Sequence, residues 1–508
     1  MPSARERAGD RRRPRRHRRC PAHLVSSHPG SCLDATRGVL RRPLKRPGPR
    51  IKNMTPNDSR WPLTLALCGG YFLVLLDVTV VNVALPQIGA ELHAESTGLA
   101  WTVDAYSVPL AALLLASGAI GDLIGHRRVV LLGMVGFGAA SVLCALATTI
   151  GVLVVARAVQ GIGAALMLPG TLALLVDNNP DETSRNRLVG VWAAIGGAAL
   201  PAGPVIGGLL VQAAGWRAVF WLSVPVIALA LVPVVQLRRS HPQQGSERKV
   251  DWIGAALLVI ALTCLVTAII QAPASLVLAA ALAAAAVFAL LGFLAVERRG
   301  RNPLLPVPRE ARHSLGLASL VAGLMNLCAL GGLFLLTQVF QDVHGLEPLA
   351  AGLLTLPAML PLPLLGAPAG RLANRLGVWR TAALGLVVAA AGMAGIAATL
   401  TNTGISYVAL AFFLALWGTG LGVLTPAIVS AALKATPCAP GLASGASNTA
   451  RQTGGALGIA IFAAVAGAVT SPGFSSQSAA LFIGAAVVFV LAGLLCFGIA
   501  VSQCARLS

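Results

Sequence analysis

VLLDVTVVNVALPQI, residues 74–88, is apolar at most positions and carries one carboxylate, Asp77. It lies within an apolar run from Trp61 to Leu85, and about 20 such residues are enough for a helix to cross a bilayer. An ionised acid at the centre of hydrocarbon costs roughly 2.5 to 3.5 kcal/mol even on the insertion scale. Whether Asp77 carries that cost depends on whether the run lies in lipid. Of the 508 residues, 56% are hydrophobic and 11% charged, and the mean hydropathy is +0.78. Soluble domains carry about 25% charged residues. A soluble fold is therefore excluded, and the chain reads as an all-α polytopic membrane protein in which an intramembrane acid marks function.

Walking outward from residue 74 gives fourteen apolar runs, at 61–85, 100–120, 129–149, 151–176, 188–211, 217–237, 252–271, 275–296, 314–337, 348–368, 379–400, 405–431, 443–469 and 478–502. Lys and Arg collect on the cytoplasmic side of membrane proteins, and here they alternate with the connections. Seventeen fall on even-numbered connections, from Arg127 and Arg128 through to Lys434, while the odd-numbered ones carry only Arg217. Both termini are thereby placed in the cytoplasm. Of the formal charge of +20, residues 1–53 hold 16 Lys+Arg against 3 Asp+Glu. This Pro-rich prefix has no apolar periodicity and reads as a disordered basic extension. It is either a lipid-attracted tail, a nucleic-acid arm or, the preferred reading, a product of an upstream start, with Met54 as the true start. No nucleic-acid partner is expected. Nine cysteines form no CxxC pair, so neither a disulfide framework nor a metal site is expected.

An internal repeat divides the chain. GAIGDLIGHRR at 118–128 aligns with GRLANRLGVWR at 370–380, setting Gly118 on Gly370, Gly125 on Gly377 and Arg128 on Arg380. The copies are eight spans apart, so two six-helix bundles (54–237 and 314–508) would be joined by a linker (238–313) that contributes two extra spans. Helical repeats around a midplane site are how secondary transporters are built. Prolines 357, 361, 363 and 368 in span 10 predict a kink and a plausible hinge.

Four motifs in order then carry a resemblance: LDVTVVNVALP at 76–86, GAIGDLIGHRR at 118–128, RAVQGIGAA at 157–165 and AGPVIGG at 202–208. Together they resemble the major facilitator superfamily, in particular its fourteen-spanner drug:proton antiporter branch, the EmrB/QacA-like exporters. Leu123, where the family usually has Arg, and Asn374, where it has an acid, depart from the pattern. The resemblance implies proton-coupled export by alternating access, with the first-span acid and the span 4 Arg implicated in coupling and binding. It also implies that the loop acts as a conformational latch and that Gly203, Pro204, Gly207 and Gly208 seal the pathway. Read from the residues alone, those small residues and the proline could equally serve close helix packing. In the loop, Gly118 and Gly125 permit a tight turn. Asp122 could pair with Arg127, Arg128 or a helix N-terminus, or the loop could simply orient the chain. GIGAA is no dinucleotide fingerprint, because it lies inside a span with no preceding strand.

No His or Glu stands well inside any run, which leaves Asp77 or Asp104 as proton carrier. At 1.5 Å per residue, Asp77, Asp104 and Arg157 lie about 12, 6 and 9 Å from the outer ends of their spans. Protonation of Asp77, sensed by Arg157, is the expected coupling step; a fixed ion pair that only specifies packing is the alternative. Asp104 could equally be structural, and Trp101 and Tyr106 could be interfacial anchors. Substrate-cavity candidates are Asn82, Gln160, Asn326, Gln338, Asn448, Arg451 and Gln452, with snorkelling of Arg451 to the cytoplasm as the alternative. Two acids in the outer half mildly favour cationic cargo. No P-loop occurs, and no His pair or Ser/His set lies in the spans, so neither an enzyme nor a cofactor is expected. The expected partners are a small amphiphilic molecule, protons and lipid. A narrow metabolite exporter or importer is the rival within transport. The Arg-over-Lys bias suggests a GC-rich bacterial genome and hence the bacterial plasma membrane.

Overall fold

The computed structural model describes residues 61–179, 181–237, 251–299, 303–305, 307–401, 406–436 and 440–507. The basic prefix, Met54 and residues 238–250 lie outside the described residues. Among those described there are helices and no strands. In chain order they are α1 (Trp61–Leu92), α2 (Ser96–Ile124), α3 (His126–Ala145), α4 (Ile150–Asp177), α5 (Glu182–Ala214), α6 (Arg217–Gln236), α7 (Trp252–Gln271) and α8 (Leu276–Arg299). There follow α9 (Arg309–Gln338, continued by a π turn, Val339–Val343), α10 (Pro348–Met359 and Pro361–Leu376), α11 (Val378–Leu400), α12 (Tyr407–Ala435), α13 (Pro440–Ala466) and α14 (Phe474–Leu507).

Thirteen of these are long and apolar enough to cross a membrane. The remaining one, α13, is diluted by its polar first half, SGASNTARQTGG at 444–455. It nevertheless packs along α9 and α2 as a full member of the bundle. Two of the tight turns between spans are set by local chemistry. Between α3 and α4 the turn ends at Thr149, whose hydroxyl accepts from the Val152 amide at 3.4 Å and caps α4. Between α7 and α8 the chain turns through 272–275, where Ser275 Oγ accepts from the Leu278 amide at 3.3 Å. The kink expected from the prolines of span 10 is present: the helix breaks at Leu360, and Pro361, which has no N–H to donate, starts the second segment.

The repeat is also visible in the backbone. Gly125 (φ +92°) and Gly377 (φ +89°) each end one helix and begin the next. Their amides donate to the carbonyls of Gly121 at 2.9 Å and Ala373 at 3.1 Å. The positive φ is strained for any residue with a Cβ, and glycine is what allows helix to follow helix directly.

Helices α1–α6 and α9–α14 form the two bundles. They meet along α2 with α13 and along α5 with the first segment of α10, while α7 and α8 pack on each other beside α2 and α13. The outward faces stay apolar, as at Leu229, Val277, Phe288 and Leu494, which suits lipid better than water. Arg217, alone on the odd-numbered connections, is bound to the Glu91 carboxylate, with its guanidinium 4.3 Å over the Trp216 ring.

Candidate functional site

Asp77 is 4% and Arg157 0% exposed, and the two form an ion pair inside the first bundle. Asp77 sits two residues from Leu75, and at about 100° per residue the two point to nearly opposite faces of α1. Leu75, Val78 and Thr79 turn to a central cavity, while Asp77 turns to α4. Thr102, Gln160 and Tyr106 hold the pair. Arg157 Nε donates to the Thr102 carbonyl at 2.9 Å, and Arg157 Nη1 also donates to Gln160 Oε1 at 2.7 Å. Gln160 Nε2 donates to Ser141 Oγ at 2.9 Å and, more weakly, to Asp77 Oδ1 at 3.4 Å. The guanidinium lies 4.4 Å from the centre of the Tyr106 ring, a favourable cation–π placement. Arg157 Nη2 has no hydrogen-bond partner among the described residues. A buried pair with this many ligands keeps its geometry, yet removing either charge strands the other in a medium that cannot solvate it.

Asp104 does not join this cluster. It is fully buried, and neither carboxyl oxygen has a hydrogen-bond partner among the described residues. Tyr106 departs from the expected interfacial anchor: it is 0% exposed and donates its hydroxyl to the Val74 carbonyl at 2.9 Å. Its ring is spent on Arg157 and not on the headgroup layer. Asn82 and Gln338 are buried and bond back to their own helices, at the Val78 and Phe334 carbonyls, both 3.4 Å. They do not line the cavity, and neither does Gln160.

The cavity lies between the bundles and has a volume of about 110 Å³. Tyr71, Thr79, Asn326 and Thr425 line it together with Asn448, Arg451 and Gln452, among apolar groups such as Leu168, Leu330 and Met359. Arg451 therefore faces the cavity and does not reach for the cytoplasm. Neither Asp77 nor Asp104 lines this space, so the two acids expected to favour cations do not present charge to it. A feature that the sequence did not signal is the stack of Tyr71 on Trp192 of α5, with ring centres 3.7 Å apart and planes at 9°. Gly196, one turn further along α5, leaves room for the Tyr71 ring, which a Cβ there would overlap.

The AGPVIGG stretch stands at the closest approaches of α5. Cβ atoms at Gly203 and Gly207 would meet Thr79 and Val80 of α1. A Cβ at Gly208 would lie 2.7 Å from the Pro348 carbonyl oxygen, and Gly352 stands against Pro204. The same end of the molecule is bridged by Gln212 Nε2 donating to Glu347 at 2.7 Å and Gln341 Nε2 donating to the Val83 carbonyl at 3.0 Å. The loop motif differs from expectation. Asp122 pairs with His126 at 3.4 Å, one turn away, and with neither arginine. Arg127 instead donates to the last carbonyls of α6, Val234 at 3.1 Å and Val235 at 2.6 Å, where unsatisfied acceptors and the negative end of the helix dipole attract a cation. Arg128 is exposed, and a Cβ on Gly118 would meet open space.

Compared with known proteins, residues 67–459 match the model of the Major Facilitator Superfamily. The tetracenomycin C resistance and export protein of Streptomyces glaucescens is 35% identical over 79% of this chain and 75% of its own length. The methylenomycin A resistance protein of Bacillus subtilis is 33% identical over 84% and 90%, and the drug efflux pump JefA of Mycobacterium tuberculosis 34% identical over 82% of each. Among solved structures, the peptide transporter POT in complex with sulfate superposes with a TM-score of 0.64 at 16% identity, covering 88% of this chain and 95% of that one. This last likeness concerns the fold alone.

Proposed function

Because the chain belongs to the major facilitator superfamily, we propose that it exports amphiphilic drugs or antibiotics across the bacterial plasma membrane in exchange for protons. It is a multi-pass membrane transporter and not an enzyme, and its relatives are named for antibiotic resistance and drug efflux. The observation that carries the proton-coupled reading is the Asp77–Arg157 pair, sealed on one face of α1 while the opposite face of the same turn lines the cavity. A proton arriving at Asp77 removes its charge and its hold on Arg157, which remains bound to Gln160 and the Thr102 carbonyl. The link between α1 and α4 is thereby loosened at the level of the bound cargo. Deprotonation on the other side restores it. Cargo and proton thus compete through one helix and not for one space, and the membrane potential adds about 2.3 kcal/mol per charge per 100 mV to the driving force.

The close packing of α5 on α1 and α10 supports Gly203, Pro204, Gly207 and Gly208 as the outer seal. The Arg127 bonds to α6 support the cytoplasmic loop as a latch. Both termini are assigned to the cytoplasm on the distribution of basic residues, to which Arg217, neutralised by Glu91, is no real exception. The prefix 1–53, the bundle 54–237, the linker 238–313 and the bundle 314–508 remain the proposed division of the chain.

The test is efflux of a panel of dyes and antibiotics from cells expressing the chain, with and without a protonophore. Efflux that collapses when the gradient is removed is expected. Efflux indifferent to the protonophore would contradict proton coupling, and a protein that reaches the membrane and exports no panel member would contradict the multidrug reading.

A further inference from the structure

We propose that the central cavity selects planar aromatic molecules carrying a negative charge, with Arg451 as the charge selector and Tyr71, backed by Trp192, as the stacking wall. The inference rests on the export reading of the same cavity and adds the class of cargo. Arg451 is the one charged side chain lining the cavity among the described residues. It has no ion-pair partner among them, and its Nε has no hydrogen-bond partner. An uncompensated guanidinium at membrane depth is costly unless a counter-charge reaches it. No acid among the described residues does so: Asp77 is committed to Arg157 and Asp104 is enclosed elsewhere. The planar fork of an Arg matches a carboxylate or phenolate edge. Asn448 and Gln452 flank it on α13, and Asn326 faces the same space from α9; their amides can donate to neighbouring carbonyl oxygens of a cargo.

The aromatic requirement comes from a second, independent feature. Tyr71 lines the cavity and is fixed by face-to-face contact with Trp192 at 3.7 Å, and Gly196 gives it the room to lie there. A ring held on one face by a buried tryptophan is a rigid surface with little rotamer entropy left to lose on binding. Flat apolar cargo gains most from it. The remaining walls, Leu168, Leu330 and Met359 among them, accept the hydrocarbon edge of such a molecule.

Three probes with one ring system isolate the charge: anthracene-9-carboxylate, 9-(hydroxymethyl)anthracene and 9-(aminomethyl)anthracene. Equilibrium binding to the purified full chain in lipid nanodiscs, with no proton gradient, should rank them in that order, the carboxylate at least tenfold tighter than the ammonium. Arg451→Gln should abolish the ranking, Arg451→Lys should keep most of it, and Tyr71→Leu should weaken carboxylate and alcohol alike. The lysine variant guards against misfolding as the cause of any loss. Equal or tighter binding of the ammonium probe, no binding of any probe, or an unchanged ranking in Arg451→Gln would overturn the proposal. A ranking that holds while no proton-driven efflux is found would instead contradict the export reading and leave the selectivity of the cavity standing.

Discussion

Arg157 is where a single side chain carries most of the consequence. Replacing it by Ala leaves the Asp77 carboxylate in a site with 4% exposure and only a weak contact to Gln160. Breaking a buried pair from one side costs about 3–5 kcal/mol. Arg157→Ala should therefore lower thermal stability in detergent far more than the double variant Asp77→Asn/Arg157→Gln, in which no charge is stranded. Equal losses in the two proteins would show that the pair is mere filler. That Asp77 and Arg157 belong together could be read from the sequence, because each is an ionisable group that an apolar run has no other reason to tolerate. The rest of the cage could not. Whether Ser141 reaches Gln160, or Tyr106 faces Arg157 instead of the headgroups, depends on the rotation of one helix against another, and neither residue is unusual in its own run. Arg451 was legible as a polar intruder, but the absence of an ion-pair partner for it among the described residues is a three-dimensional fact.

Between elements, contacts turn on small residues and free carbonyls. The α5–α10 approach at Gly208 leaves no room for a side chain, since a Cβ would sit 2.7 Å from the Pro348 carbonyl oxygen. Gly208→Val should wedge the two bundles apart at that end. The readout is the rate at which an impermeant thiol reagent labels a cysteine placed at Gln341, which bonds across the same junction; the rate should rise severalfold over that in the Gln341→Cys background alone. An unchanged rate would remove the glycine stripe from the seal. The repeat and its glycines were legible here, because a positive φ at Gly125 and Gly377 imposes a residue type at a fixed place. The partner of Arg127 was not, because the acceptors lie 107 and 108 residues away at the end of α6, and Asp122, the nearer candidate in sequence, was taken up by His126.

For the whole molecule, hydropathy and the alternation of basic loops were enough to give fourteen spans, since lipid dictates that every backbone bond be satisfied within a helix, and the internal repeat divided them into two bundles with an extra pair. What they could not give was the division of labour between the two faces of α1. Asp77 looked like part of a cavity whose acids would favour cations, whereas the cavity presents a cation and keeps the acid behind the helix. Proton and cargo are thereby coupled through α1 without sharing a space. This coupling is tested most directly in proteoliposomes holding the wild-type chain or Asp77→Asn, by comparing transport driven by an imposed pH gradient with exchange of labelled for unlabelled cargo at equal pH. Asp77→Asn should lose gradient-driven accumulation at least tenfold and keep exchange. Gradient-driven accumulation that survives in Asp77→Asn, or loss of exchange by a well-folded variant, would contradict the coupling.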